Sequence, residues 1–304
     1  TVGTTSAWGA NIGTLFKLTY KTRTLLIGCT ASAAMASLFN APIAAIVFSI
    51  EVIMLDLTTA SLIPLLLASA SATITSYFFL GDDILFHFNI TENFGMRHLP
   101  YYIGLGVFTG LASVFFYRTY TSISKVFDRM KTQRMKTIVG GASLGLLLFA
   151  MPPLYGEGYQ VINSIIEGRP FDILSNSLFD GYKDNILVLL AFVFALGLFK
   201  VVATTLTFRA GGIGGTFAPT LFMGAMFGFF FAKSINYFGL GDLPESNFTL
   251  VAMAGLMAGN LHAPLMAIFL IAEITGGYEL FVPLMLTASI SFVTVKQFVP
   301  HSIY

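Results

Sequence analysis

The stretch Gly211-Gly212-Ile213-Gly214-Gly215-Thr216-Phe217-Ala218-Pro219 carries the residue types from which an anion site can be built without a full positive charge. Glycines leave backbone N–H groups uncovered by side chains. Pro219 suits the first turn of a helix, where an N–H has no intrahelical partner. A helix opening at Phe217 would turn its free N–H groups, and the positive end of its dipole, towards one shared space. The residues that follow, Thr220 to Ala232, are uncharged. Taken alone, the stretch reads equally as a glycine-rich bend between packed helices.

A second device occurs twice. Asn40–Glu51 (NAPIAAIVFSIE) and His262–Glu273 (HAPLMAIFLIAE) share Ala-Pro, Ala-Ile and a glutamate nine residues after the proline. Each proline restarts a helix of about twelve residues, roughly 18 Å, too short to cross a bilayer core. Each copy follows a glycine-containing opening, at Gly3 in one half and Gly215 in the other. Internal repeats with short broken helices are how many transporters build a site near the membrane midplane. An acid in such a helix is usually functional. The register of Glu51 with Glu273 points instead to a shared structural task, accepting backbone N–H bonds.

The elements that must position these residues are membrane helices. The 304-residue chain is 56% hydrophobic and 10% charged, with a mean hydropathy of +0.80, against about 25% charged in soluble domains. Uncharged runs recur at Leu57–Gly81, Leu99–Tyr117, Thr137–Gly156, Phe217–Ala232 and Ser246–Ala272. Several reach the ~20 residues needed to span. The chain is therefore expected to be an all-α polytopic membrane protein, multi-pass in a cell or inner membrane.

In chain order, a helix is expected from the glycine-punctuated start towards Tyr20, with Lys17, Lys21 and Arg23 at a water-facing end. A small-residue helix follows over Thr24–Leu38, then a short helix, a span over Leu57–Phe79 and a polar loop over Gly81–His98. Leu99–Met130 is a long helix. The basic turn after it (Lys125, Arg129, Lys131, Arg134, Lys136) belongs in the cytoplasm by the positive-inside tendency. Thr137–Pro152 returns, and Gly156–Asp184 is an excursion with one or two short amphipathic helices. Spans at Ile186–Phe208 and Phe217–Phe238 precede a turn at Gly239–Pro244. Phe248–Ala258, the second short helix from Ala263, and Glu279–Phe298 complete the run. Lys200 is expected to snorkel or to line a vestibule.

Other classes find little support. A net charge of +1 gives no nucleic-acid signature, and the single cysteine, Cys29, excludes an internal disulfide and reads as packing. The four histidines are scattered, no metal-ligand spacing occurs, and no nucleophile–base pair marks an enzyme. No cofactor or metal is expected.

FNAPIAAIVFSIEV, GGTFAP with the TLFMGAMFG after it, HAPLMAIFLIAEITGGYEL and the terminal HSIY together resemble the CLC family of chloride channels and chloride/proton antiporters. The resemblance runs over essentially the whole chain in order. Gly215, Phe217 and Pro219 meet the family's Gly-x-Phe-x-Pro signature. It implies the CLC-type inverted-repeat fold, with short broken helices meeting at a midplane anion site. Residues 1–98 would be the C-terminal part of the first repeat and 99–304 the second, with upstream residues of the first repeat and a downstream cytoplasmic domain outside this stretch. It also implies a homodimer, here through 43–77 and 264–298, in which each subunit carries its own anion pathway.

Carried over by position, the Thr216 and Phe217 amides would serve the central anion site beside Gly215, and Tyr304 would offer its hydroxyl. Thr1, Val2 and Gly3 fall where the family has Gly-Arg-Glu-Gly-Pro, and their amides would line the outer site. Two departures bear on mechanism. Val2 stands where the family has its gating, proton-carrying glutamate, and Val52 where antiporters have a second proton-transfer glutamate; Thr4 replaces the signature proline. An isopropyl group relays no proton, so the expected function is passive conduction of chloride or another small anion. The alternatives are an antiporter using another acid and a non-transporting membrane scaffold. Fluoride export ranks lower, because the fluoride branch departs from the Gly-x-Phe-x-Pro and tyrosine features kept here.

Overall fold

The computed structural model describes residues 1–53, 59–81, 95–175, 177, 179–182, 185–276 and 278–300. Most of the expected 81–98 loop and the site residue Tyr304 lie outside the described residues.

Among the described residues the chain is built of twelve α-helices and a few short 3-10 turns. The helices are α1 (Val2–Leu15), α2 (Tyr20–Phe39), α3 (Pro42–Val52), α4 (Thr59–Leu80), α5 (Leu99–Asp128) and α6 (Gln133–Ala150). They continue with α7 (Tyr159–Ile166), α8 (Ile186–Arg209), α9 (Phe217–Tyr237), α10 (Glu245–Leu261), α11 (Pro264–Ile274) and α12 (Phe281–Phe298). Six helices among the described residues are long and apolar enough to cross a membrane: those at α2, α4, α5 with the 3-10 turn that precedes it, α8, α9 and α12. α3 and α11 are the two short apolar helices expected from their prolines. This is a multi-pass integral membrane protein.

The two halves break their helices by the same backbone path. α2 ends at Asn40 (φ 52, ψ 36) and α10 at His262 (φ 56, ψ 32), both left-handed. Ala41 (φ −126, ψ 78) and Ala263 (φ −125, ψ 74) then turn the chain, and Pro42 and Pro264 open α3 and α11 at the first helical position. A non-glycine residue in the left-handed region is uncommon, and the same step recurs at Asn40 and His262.

α10 is the axis of the second half. Every residue from Ser246 to Leu261 is buried, against α9, α12, α5 and α11. Contact this close requires small residues. A Cβ at Gly224 would stand 2.5 Å from the Met253 Cα, and one at Gly228 2.5 Å from the Phe248 carbonyl oxygen. On its other side α10 turns Gly255 and Gly259 to Thr109 and Ser113 of α5. Hydroxyls bridge the helices as well: Ser291 donates to Gly255 O at 2.6 Å, and Thr287 to Tyr102 O at 3.1 Å.

Two expected boundaries shift. α1 does not reach Tyr20, because Lys17 turns left-handed at φ 51 and Thr19 caps α2 through the Thr22 amide. α10 begins at Glu245 and not near Phe248, with Pro244 at its cap and an acid in its first turn, where the dipole favours one.

Candidate anion site

Four helix N-termini matter here, and they fall into two pairs. The first pair is closed from within. The Glu273 carboxylate accepts from the Ile43 amide at 2.9 Å and the Ala44 amide at 2.7 Å. The Glu51 carboxylate accepts from Leu265 at 3.2 Å and Met266 at 2.8 Å. Each acid thus caps the other half's short helix, at the two amides that follow a proline with no N–H to offer. At these two N-termini the first amides bind an anionic oxygen.

Among the described residues the second pair carries no such cap. α9 opens at Phe217 as expected, with Thr216 at its cap and no side-chain cap bond. α1 opens at Val2, with Thr1 at its cap and again no side-chain cap bond. Among the described residues, no carboxylate accepts from the amides of Phe217 and Ala218 or from those of Val2 and Gly3. Thr216 is 4% exposed, whereas Gly215 and Gly3 have open space where a side chain would stand. Val2 and Phe217 are half-buried and pack against the same apolar core, as does Val52 at the end of α3. The Phe217 ring lies 5.0 Å from that of Phe39, which fastens the start of α9 to the end of α2.

The glycine stretch lies at the basic end of the bundle. Arg209, at the end of α8, donates to Ser124 at 2.8 Å and to Asp128 at 3.1 Å on α5. Thr137 of α6 donates to Ala210 O at 2.7 Å. Residues 210–216 thus leave α8 beside the turn that holds Lys125, Arg129, Lys131, Arg134 and Lys136, and clustered charge of one sign raises the local concentration of counter-ions.

Comparisons with known proteins bear on this arrangement. The family model described as voltage gated chloride channel matches residues 1–296. The chain belongs to that family. Within this CLC family it is 32% identical over 286 residues to a putative chloride channel protein ClcB-like from Ralstonia nicotianae, covering 92% of this chain and 62% of that one. It is 28% identical to a voltage-gated ClC-type chloride channel ClcB from Citrobacter koseri, covering 92% and 64%. The chain therefore spans less than two thirds of these curated relatives. A slow cyanobacterial Cl−/H+ antiporter shares its fold with a TM-score of 0.82 at 23% identity, over 100% of this chain and 68% of that one. A CLC-type fluoride/proton antiporter shares it with a TM-score of 0.74 at 22% identity, over 100% and 71%.

The expectation for Lys200 is corrected. Its side chain neither snorkels nor reaches an open vestibule, since the residue is 2% exposed. Its ammonium donates to Leu154 O at 3.1 Å and Gly156 O at 2.8 Å and lies 4.4 Å from the Phe222 ring centroid. The charge clamps the link between α6 and α7. Its pattern in sequence, one lysine in an apolar span, gave no sign of those carbonyls. Cys29 is a free, half-buried thiol of α2.

Proposed function

We propose that this chain forms the anion pathway of a passive CLC-type chloride conductor. The observation that carries the reading is that, among the described residues, no carboxylate accepts from the first amides of α1 and α9, whereas those of the short helices α3 and α11 each hold one. In this reading the amides of Thr216 and Phe217, helped by Gly215 and the Tyr304 hydroxyl, hold a dehydrated anion centrally. Thr1, Val2 and Gly3 line the outer position. Backbone and hydroxyl donors stabilise chloride without a fixed full charge, so the ion can leave.

Val2 and Val52 favour conduction over exchange in this reading. Neither side chain can carry a proton or compete as an anion for the outer position. The similarity to antiporters speaks for the second reading, in which another acid carries protons; Glu51 and Glu273 are poor choices for it because their oxygens are engaged by amides. Exposed apolar side chains of α3, α4, α11 and α12, among them Ile43, Leu67, Leu265 and Met285, support a homodimer through 43–77 and 264–298.

The test is simultaneous recording of chloride efflux and external pH from liposomes holding the intact protein. Chloride efflux down its gradient without proton movement, under an imposed pH gradient, is expected. Proton uptake in fixed ratio to efflux would establish the antiporter; absence of any flux, with no heat on titrating chloride, would leave a scaffold.

A further inference from the structure

Behind the first turn of α9 lies a buried hydrogen-bond chain. The Asn260 side-chain amide, on α10, donates from Nδ2 to Thr220 Oγ1 at 3.2 Å. The Thr220 hydroxyl donates to the Thr216 carbonyl oxygen at 2.7 Å. That same carbonyl accepts the Thr220 amide at 3.0 Å. All three residues are buried, Asn260 at 3%, Thr220 at 0% and Thr216 at 4% exposure.

The direction of the chain is fixed by counting protons. A threonine hydroxyl has one proton, and that of Thr220 is committed to Thr216 O. Thr220 can therefore only accept from Asn260, so the amide must present its nitrogen. The carbonyl at the far end belongs to the peptide unit whose N–H is that of Phe217. This N–H opens α9 and has no intrahelical partner.

Hydrogen bonds in series polarise one another, the more so in a low-dielectric interior. A donor on the Thr216 carbonyl draws electron density across the peptide and makes the Phe217 N–H a stronger donor. We propose that Asn260 and Thr220 are positioning residues that orient and polarise the Phe217 amide and so set how tightly the anion is held. This rests on the anion-site reading above.

Two observations separate this role from ordinary packing. Back-bonding by a helical threonine is common, but here a second helix supplies a further donor behind it. The internal repeat offers a control. Counting back from the left-handed residues His262 and Asn40, Asn260 corresponds to Leu38. The helix break thus forms in the first half without an amide. In the second half an amide is kept although its Oδ1 is buried and has no hydrogen-bond partner.

The experiment uses Thr220→Val, Thr220→Ser and Asn260→Leu in the intact protein. It combines chloride titration calorimetry with hydrogen exchange of the peptide covering 216–222. Thr220→Val removes the hydroxyl at nearly constant volume, and Thr220→Ser restores it. The expected result is chloride binding weakened about fivefold by Thr220→Val and by Asn260→Leu, the size of one buried hydrogen bond. Exchange at the start of α9 should rise in both, and Thr220→Ser should match the parent in both measurements. Parent-like affinity and exchange in Thr220→Val would overturn the proposal while leaving the anion site standing. No binding heat in the parent would overturn the anion-site reading itself, and this proposal with it. Equal weakening in Thr220→Val and Thr220→Ser would also refute it, because volume and not the hydroxyl would then be the cause.

Discussion

Replacing either capping glutamate by alanine should be among the most damaging single changes in this protein, although neither residue is assigned to the anion site. Each carboxylate accepts two backbone amides, Glu273 at 2.9 and 2.7 Å and Glu51 at 3.2 and 2.8 Å. A hydrogen bond to a charged group contributes about 1.5–3 kcal/mol, so Glu51→Ala or Glu273→Ala should cost about 3–6 kcal/mol. The lower half of that range applies, because Ile43 and Leu265 sit on the outer surface of the subunit. Glutamine keeps one acceptor but sets an NH2 against the other amide, so Glu51→Gln and Glu273→Gln should cost about half as much. Far-UV circular dichroism during SDS titration of the detergent-solubilised protein reads these losses. The two alanine variants should behave alike, since the geometry is reciprocal, and their effects should couple in the double variant because both cross the α3–α11 contact. Alanine variants within about 1 kcal/mol of the parent, or a large effect at one acid only, would refute mutual capping.

Three further outcomes follow from the same geometry. Gly228→Ala should destabilise by about 1–3 kcal/mol through forced separation of α9 from α10, whereas Gly145→Ala, with open space at its Cβ position, should be neutral in the same denaturation assay. Lys200→Met keeps an apolar stem but strips the donor from Leu154 O and Gly156 O, so amide exchange over 152–158 should rise roughly tenfold while α8 and α9 stay protected. Replacing Lys125, Arg129 and Lys131 together by glutamine should slow chloride efflux at low ionic strength. The difference should fade towards ~1 M salt, where screening acts over about 3 Å; persistence there would argue against an electrostatic role for the basic turn.

Much of this was legible in sequence because membrane helices announce themselves locally. Long uncharged runs give spans, prolines give the starts of α3 and α11, and the Gly-x-Phe-x-Pro stretch gives the opening of α9. The matched positions of Glu51 and Glu273 even betrayed a shared structural task. What sequence could not give was the partner of each acid, because the accepting and donating groups lie more than two hundred residues apart along the chain. Lys200 failed for the same reason: its carbonyl partners belong to a distant link, so a buried clamp read as a snorkelling or vestibule lysine. The Asn260–Thr220 contact joins two helices at positions that each read as unremarkable polar residues in an apolar run.

The reciprocal caps also impose a timetable on biosynthesis. When α3 leaves the ribosome its first amides have no acceptor, because the Glu273 that caps Ala44 follows 229 residues later. At about 5–20 residues per second, that is roughly 10–50 s of translation. α11 meets no such delay: Glu51 is already waiting when Leu265 and Met266 emerge. The first half must therefore enter the bilayer with one helix end provisional, held by water or lipid headgroups, and is completed only by nearly the last helix of this stretch. Chain order thus makes the older half dependent on the younger, although the finished contacts treat the two alike.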